Sequence, residues 1–250
     1  IFDGNKVYLA RDRIGVRPLF YGTTFSGNFA VASTMGALSE YCNDAQQLWP
    51  SIATYDRTYK VLHRLSYHYP IIELNEKDYT KNRIKYLLTE AVDKRLMSNR
   101  PIACMLSGGL DSSLITSIMC KLIGSDKVRT YSIGMEGSED LKYARVVADY
   151  LGTKHTEVTF TPQEGFDAIP HVIKDLESYD VTTVRASVGM WLLSKYISEN
   201  TNDIVIMSGE GSDEIFGGYL YFHYAPSVTE FEQESKRLVR DLHQYDVLRT

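Results

Sequence analysis

The run from Ile102 to Ile123 constrains the fold more than any other part of the chain. A short apolar stretch, Ile102 to Leu106, leads into Ser107-Gly108-Gly109-Leu110-Asp111-Ser112-Ser113. A helical pattern follows, with Leu114, Ile115, Ile118, Met119, Leu122 and Ile123 on one side. An apolar strand that turns within a few residues into such a helix is the opening unit of a parallel α/β sheet. The chemistry of the turn is as restrictive as its shape. Gly108 and Gly109 let backbone N–H groups approach an anion without interference from Cβ. The helix start adds unpaired N–H groups at the positive end of a dipole. Ser107, Ser112 and Ser113 can donate to phosphate oxygens, and Asp111 offers only acceptors, which suits a magnesium ion riding on those phosphates. No Gly-Lys-Ser/Thr follows and no Gly-x-Gly-x-x-Gly is formed, so neither a Walker loop nor a dinucleotide turn is present. The stretch reads as a pyrophosphate site and suggests chemistry at the α-phosphate of ATP. Taken by itself, a plain Ser/Gly turn capping a helix is the alternative.

The strand–helix alternation continues downstream. Residues 128–133 and 157–160 read as strands. A helix begins at Ser138, with acids in its first turn and Leu141, Ala144, Val147, Ala148 and Leu151 inward, and Gly152 ends it. Helical stretches at 162–175 and 186–199 lead to a strand at 204–207, and 229–248 is amphipathic. Ahead of the loop, 77–97 carries Ile84, Leu87, Leu88, Ala91, Val92 and Leu96 at helical spacing. These patterns predict an α/β fold with a doubly wound, mostly parallel sheet over residues 73–250. Residues 1–72 differ. Short runs at 6–10, 18–22, 28–33 and 54–65 alternate with turns, and only 34–41 looks helical. The chain is therefore predicted to divide into 1–72 and 73–250, with the boundary near 66–78.

Bulk properties exclude several function classes. A net charge of −5 gives no electrostatic reason to expect nucleic acid. No apolar run approaches the roughly 20 residues a membrane span requires, and no leader or lipidation signal is visible. Cys42, Cys104 and Cys120 are widely spaced with no Cys-x-x-Cys pair, so reduced cytosolic thiols are expected rather than a disulfide frame or a zinc site. His155 and His223 have no second metal-type residue at ligand spacing. Ile1 at the start and the uncapped close at Asp246 to Thr250 read as an internal piece of a longer protein.

A second cluster, Ser208-Gly209-Glu210-Gly211-Ser212-Asp213-Glu214, directly follows the strand at 204–207. Ligands of open α/β sheets bind beyond the carboxyl ends of strands, which is where both Gly-rich turns stand. Asp111 and Asp213 could then share a magnesium ion, leaving Glu210 for acid–base or positioning work. Alone, this loop serves equally well as a solvated acidic turn. A third element, Tyr179-Asp180-Val181-Thr182-Thr183-Val184-Arg185, sets two hydroxyls and a guanidinium just before a helical stretch. Arg185 can fork onto phosphate or carboxylate. An ordinary helix cap with a surface arginine accounts for it as readily.

Ser107-Gly108-Gly109-Leu110-Asp111-Ser112 resembles the signature of the ATP pyrophosphatases. With Tyr179–Arg185 and the run from Ser208 to His223, the chain resembles the glutamine-hydrolysing asparagine synthetase family. Asp12-Arg13-Ile14-Gly15-Val16-Arg17-Pro18-Leu19-Phe20-Tyr21 resembles the later part of a class II glutamine amidotransferase domain, an N-terminal-nucleophile fold of two stacked sheets. The resemblance covers nearly the whole chain. It implies that Leu106 and Ile133 flank the adenine, with Ser208 and Gly209 also contacting ATP. It implies that Ser107, Gly108, Gly109, Ser112 and Ser113 hold the β,γ-phosphates, and that Asp111 and Asp213 hold Mg2+. Glu210 matches the glutamate associated with forming and consuming the acyl-adenylate, and Thr182, Thr183 and Arg185 match residues of the aspartate and pyrophosphate region. The implied reaction converts L-aspartate to L-asparagine through β-aspartyl-AMP, with nitrogen from L-glutamine or ammonia. A cytoplasmic ligase, with a homodimer allowed, completes the implication.

The chain also departs from the family pattern. Ile1 is not the N-terminal cysteine nucleophile, and the internal Cys42, Cys104 and Cys120 cannot supply an α-amino base. Ser33-Thr34-Met35-Gly36-Ala37-Leu38 stands where Ser-Glu-x-Lys-Ala-Leu is expected, a loss of two charges. The family's glutamine-binding residues, and a lysine of the synthetase site, fall outside the sequence. Three other readings use the same loops: a sibling such as a β-lactam-forming synthetase, a nucleotide-binding pseudo-enzyme, and a tRNA-thiolating enzyme. The last expects paired cysteines and a basic surface.

Overall fold

The structure, a computed structural model, describes residues 1–12, 14–66 and 81–242. Arg13, all but the first residue of the expected boundary at 66–78, and the ends of the expected helices at 77–80 and 243–248 lie outside the described residues. Two compact units are present: Ile1–Ile71 with Leu176–Asp180 and Glu214–Thr250, and Ile72–Asp175 with Val181–Asp213.

The first unit begins with β1 (Lys6–Ala10), β2 (Phe20–Thr23), β3 (Phe29–Ala32), α1 (Gly36–Ser39), β4 (Gln46–Gln47), β5 (Ser51–Asp56) and β6 (Val61–Ser66). They form two three-stranded antiparallel sheets, ordered β1-β5-β6 and β3-β2-β4. Alternate side chains of β5 are buried, the period-2 signature of a sheet with one face on a core. Leu9 and Ala53 from one sheet and Tyr21 from the other share that core with Leu48, which follows β4. Phe29 stacks on Tyr55 with ring centroids 3.9 Å apart. The run expected at 54–65 resolves into the β5–β6 hairpin, whose turn places Lys60 at φ 54°. The helix expected at 34–41 shortens to α1.

The Asp12–Arg17 motif is a structural device here. Asp12 accepts backbone N–H bonds from Gly15, Val16 and Arg17 at 2.9–3.3 Å. Partial burial works to raise its carboxyl, but the backbone donors prevail and hold it below the usual carboxylate range. Arg11 is 2% exposed and donates to the carbonyls of Gly15, Arg17 and Leu48 at 2.8–3.0 Å.

The second unit holds α2 (Lys81–Arg95), β7 (Ile102–Met105), α3 (Leu110–Ile123), β8 (Arg129–Gly134), α4 (Glu139–Leu151), β9 (Lys154–Thr159), α5 (Pro162–Leu176), α6 (Val181–Asn200) and β10 (Val205–Met207). Its four strands are all parallel, in the order β10-β7-β8-β9. Successive residues of β7 point to opposite faces. Cys104 packs with Val92, Ile118, Met119 and Met207, whereas Ala103 packs with Tyr131, Leu193 and Ile197. Helices therefore cover both faces, and each buried aliphatic side chain such as Met119 contributes about 1.5–3 kcal/mol. Strand order reverses between β7 and its two neighbours, so β7 and β10 flank a topological switch point. Ser138 caps α4 by accepting from the Leu141 N–H, and Gly152 ends it at φ 71°, as the sequence predicts.

Two helix starts differ from expectation. α3 begins at Leu110 rather than Ser112, and α6 at Val181 rather than Ala186. The β-branched run Val181-Thr182-Thr183-Val184 has weak helix propensity, which tertiary packing of Val184, Leu193 and Ile197 overrides. Beyond the sheet come α7 (Ser212–Phe216) and α8 (Val228–Asp241), the latter capped by Ser227. Phe222 meets Phe231 of α8 edge-on at 5.0 Å.

Candidate functional site

The Ser107–Gly109 turn is fixed by steric necessity. Gly108 has φ +81°, and a Cβ there would lie 2.4 Å from the Tyr143 carbonyl carbon and 2.5 Å from the Ala144 nitrogen. Glycine is thus required both for the left-handed backbone and for the close approach of α4. The Ser107 and Ser112 hydroxyls lie 2.9 Å apart, and the Ser107 N–H donates to Ser112 Oγ at 3.2 Å. The Gly109 N–H donates to Ser107 Oγ at 3.3 Å, and Ser113 Oγ donates to the Gly109 carbonyl at 2.6 Å. Gly109 occupies the N-cap position of α3 with extended backbone and provides no side-chain cap, so the helix start faces the turn with its N–H dipole end.

The Ser208–Gly211 turn sits against this one. A Cβ on Gly209 would meet the Ser112 nitrogen at 2.8 Å and the Asp111 carbonyl carbon and Cβ at 2.9 Å. Ser212 Oγ donates to the Gly209 carbonyl at 2.8 Å, and Gly211 has φ +90°. β7 and β10 are neighbours in the sheet, so their carboxyl ends deliver the two turns to the same place at the switch point. Burial first, and then the negative charge of Asp213, push the Asp111 carboxyl above the usual carboxylate range. The two carboxylates are therefore close enough to interact. Glu210 stands exposed on the second turn.

The other expected site residues are placed as follows. The Leu106 side chain is 1% exposed, enclosed with Ala144 and Ala148, and its N–H donates to the Tyr131 carbonyl at 2.8 Å. Ile133 is half-buried near the end of β8, and a Cβ on Gly189 of α6 would lie 3.6 Å from its Cγ2. Thr182, Thr183 and Arg185 stand at the start of α6, with Thr182 and Arg185 exposed and Thr183 half-buried. Sequence reasoning missed the backbone of Tyr143 and Ala144 beneath Gly108, for which only the Gly108 itself is a signal.

It also missed a network of Arg129, Tyr131 and Asp203. The nearly buried Asp203 carboxylate accepts from Arg129 Nε at 2.8 Å and from the Tyr131 hydroxyl at 2.6 Å. Burial opposes its charge, yet those donors hold Asp203 below the usual range. His155 lies 2.9 Å from the Thr130 hydroxyl and 3.1 Å from that of Ser132. Burial, and next the Arg145 charge, lower its pKa. Among the described residues no group of three or more His, Cys, Asp or Glu could hold a metal ion, and the three cysteines are free and buried. No described helix is long and apolar enough to cross a membrane.

The asparagine synthase family model matches residues 83–249, and the glutamine amidotransferase domain model matches residues 1–76. The glutamine-hydrolyzing asparagine synthetase of Homo sapiens is 44% identical over 273 aligned residues, which cover 98% of this chain and 49% of that protein. The Gallus gallus counterpart is 40% identical over 283, with the same coverage of 98% and 49%. The chain spans about half the length of the curated relatives it matches. Among solved structures, an NH3-dependent NAD synthetase from Campylobacter jejuni is 18% identical with a TM-score of 0.39, covering 68% of this chain and 77% of that one.

Proposed function

The chain belongs to the asparagine synthase family, and on that premise we propose that residues 73–250 carry an adenylating site and residues 1–72 part of a glutamine amidotransferase domain. Together they serve the ATP-dependent amidation of L-aspartate to L-asparagine. One observation carries the reading: Gly209 seats directly on Asp111 and Ser112, making the two carboxyl-end turns a single anion-binding wall.

Each residue then has a task. Ser107, Gly108, Gly109, Ser112 and Ser113, with the start of α3, hold the β,γ-phosphates of ATP. Ile133, the main chain of the enclosed Leu106, and Ser208 and Gly209 border the adenosine. Thr182, Thr183 and Arg185 orient aspartate and receive pyrophosphate. The side-chain carboxylate of aspartate attacks the α-phosphorus; a carboxylate O–P bond forms and the bond to pyrophosphate breaks. Ammonia next attacks the acyl carbon of β-aspartyl-AMP, and AMP leaves with the C–O electron pair. The ammonium formed on attack sheds a proton, for which Glu210 is the carboxylate on the facing turn. The work of the protein is alignment and charge neutralisation. Asp111 and Asp213, close enough for one charge to act on the other, fit Mg2+, which takes one or two carboxylates plus phosphate oxygens. When bound, the ion would neutralise charge on the phosphates. Nitrogen comes from glutamine through the amidotransferase unit, or from free ammonia. A cytoplasmic setting and a homodimer belong to the reading on family grounds.

The test is aspartate-dependent exchange of labelled pyrophosphate into ATP by the full-length protein. The expected result is exchange that requires aspartate, is lost in Arg185→Ala and persists in Glu210→Ala, while asparagine formation is lost in both. Absence of exchange with aspartate, magnesium and ATP all present refutes the reading.

A further inference from the structure

Within the first unit, the Glu177 carboxylate accepts the backbone N–H of Met35 at 2.7 Å and that of Gly36 at 2.5 Å. These are charge-assisted bonds between positions far apart in sequence, made at the start of α1. Glu177 itself stands in the left-handed region at φ 53°, a conformation shared among described non-glycine residues only with Lys60. Such backbone persists where surrounding contacts fix it. A Cβ on Gly36 would lie 2.7 Å from Glu177 Oε1, so the carboxylate would have to shift to admit a side chain there. Positions 34 and 36 are also where this chain lacks the charged pair of the family pattern.

The segment that bears Glu177 has an unusual connectivity. Leu176–Asp180 belongs to the first unit, but the chain before and after it belongs to the second. It runs directly into the first turn of α6, where Thr182, Thr183 and Arg185 stand. Ser178 within it is buried and accepts from the Asp180 N–H at 3.3 Å.

We propose that Glu177 is a positioning residue for glutamine-driven amidation. Its carboxylate fastens the segment leading into α6 to the start of α1. The proposal rests on the function assigned above. It predicts separable effects on the two nitrogen sources, because free ammonia does not depend on the amidotransferase unit.

The experiment compares wild type, Glu177→Gln, Glu177→Ala and Gly36→Ala in the full-length protein. Asparagine formation is driven by glutamine or by ammonia, and glutamine consumed per asparagine is counted. Pyrophosphate exchange and the ammonia-driven rate are expected to stay within about twofold of wild type. Glutamine consumed per asparagine is expected to rise about fivefold in Glu177→Ala, which loses both hydrogen bonds, and less in Glu177→Gln and Gly36→Ala, which keep the acceptor. Amide hydrogen exchange at Met35 and Gly36 should accelerate in both Glu177 variants, which reports the contact without reference to activity. Accelerated exchange with an unchanged ratio overturns the proposal, as does a parallel fall in both rates. A wild type without aspartate-dependent pyrophosphate exchange refutes the functional reading instead, and the proposal falls with it.

Discussion

Gly209→Ala adds one methyl group where the two turns meet. The new Cβ would stand 2.8 Å from the Ser112 nitrogen and 2.9 Å from the Asp111 carbonyl carbon, roughly 0.6 Å inside ordinary contact. The obstacles are backbone atoms at the start of α3 and cannot swing aside like the end of a flexible side chain. Overpacking of this kind costs about 1–3 kcal/mol. At roughly 2–4 °C of Tm per kcal/mol for a chain of this size, the expected loss is about 2–12 °C. The catalytic cost should be larger in proportion, because a misplacement of about 1 Å can lower a rate about 100-fold. A displacement of roughly half that size should cost about tenfold in aspartate-dependent pyrophosphate exchange. Gly109→Ala is the matched comparison: its Cβ would lie 3.4 Å from Ser107 Oγ, at ordinary contact distance. Thermal unfolding and exchange kinetics on both variants provide the assay. Wild-type Tm and exchange in Gly209→Ala would refute the claim that the turns are packed into one wall.

Gly108→Ala should be the harsher change, since a left-handed φ and a 2.4 Å approach to the Tyr143 carbonyl carbon coincide; a loss above about 3 kcal/mol in chemical denaturation is expected. Asp111→Asn should abolish exchange yet raise Tm by about 1–3 °C, because burial and Asp213 disfavour the charge in the folded state. The sign follows from linkage: an acid whose folded pKa is raised loses stability as pH rises through its unfolded value near 4, so the gain in Asp111→Asn should vanish at acid pH. Asp203 has the opposite sign. Its folded pKa is depressed, so its contribution is present above about pH 4 and lost as pH falls further. Asp203→Asn should cost about 2–4 kcal/mol at neutral pH, below the full penalty of a buried unpaired ion because Arg129 is 40% exposed and can reach water. That variant should also flatten the acid limb of a Tm-versus-pH curve.

Local signals made much of the second unit legible. The apolar run 102–106, the Ser138 cap and the Gly152 stop each act within a few residues, and β7 and α4 appear where they point. The strand-then-glycine pattern also placed both turns at carboxyl ends of neighbouring strands. What could not be read was set by contacts distant in sequence. The start of α6 depends on packing of Val184, Leu193 and Ile197, against the preference of a β-branched run. The two-residue β4 has no periodicity of its own and exists through pairing with β2. The need for Gly209 is clear only once Asp111 stands beside it, and the Glu177 contact joins positions 141 and 142 residues apart. Arg11 and Asp203 look like surface charges in the sequence; carbonyls in one case, and Arg129 with Tyr131 in the other, are what permit their burial.

The central claim is that the paired turns direct aspartate to the α-phosphorus of ATP. Aspartate labelled with 18O in its side-chain carboxylate tests this most directly, with mass analysis of the products after turnover by the full-length protein. Attack at the α-phosphorus requires one labelled oxygen to leave in AMP when ammonia displaces it. Label in inorganic phosphate or pyrophosphate, with AMP unlabelled, would contradict the account.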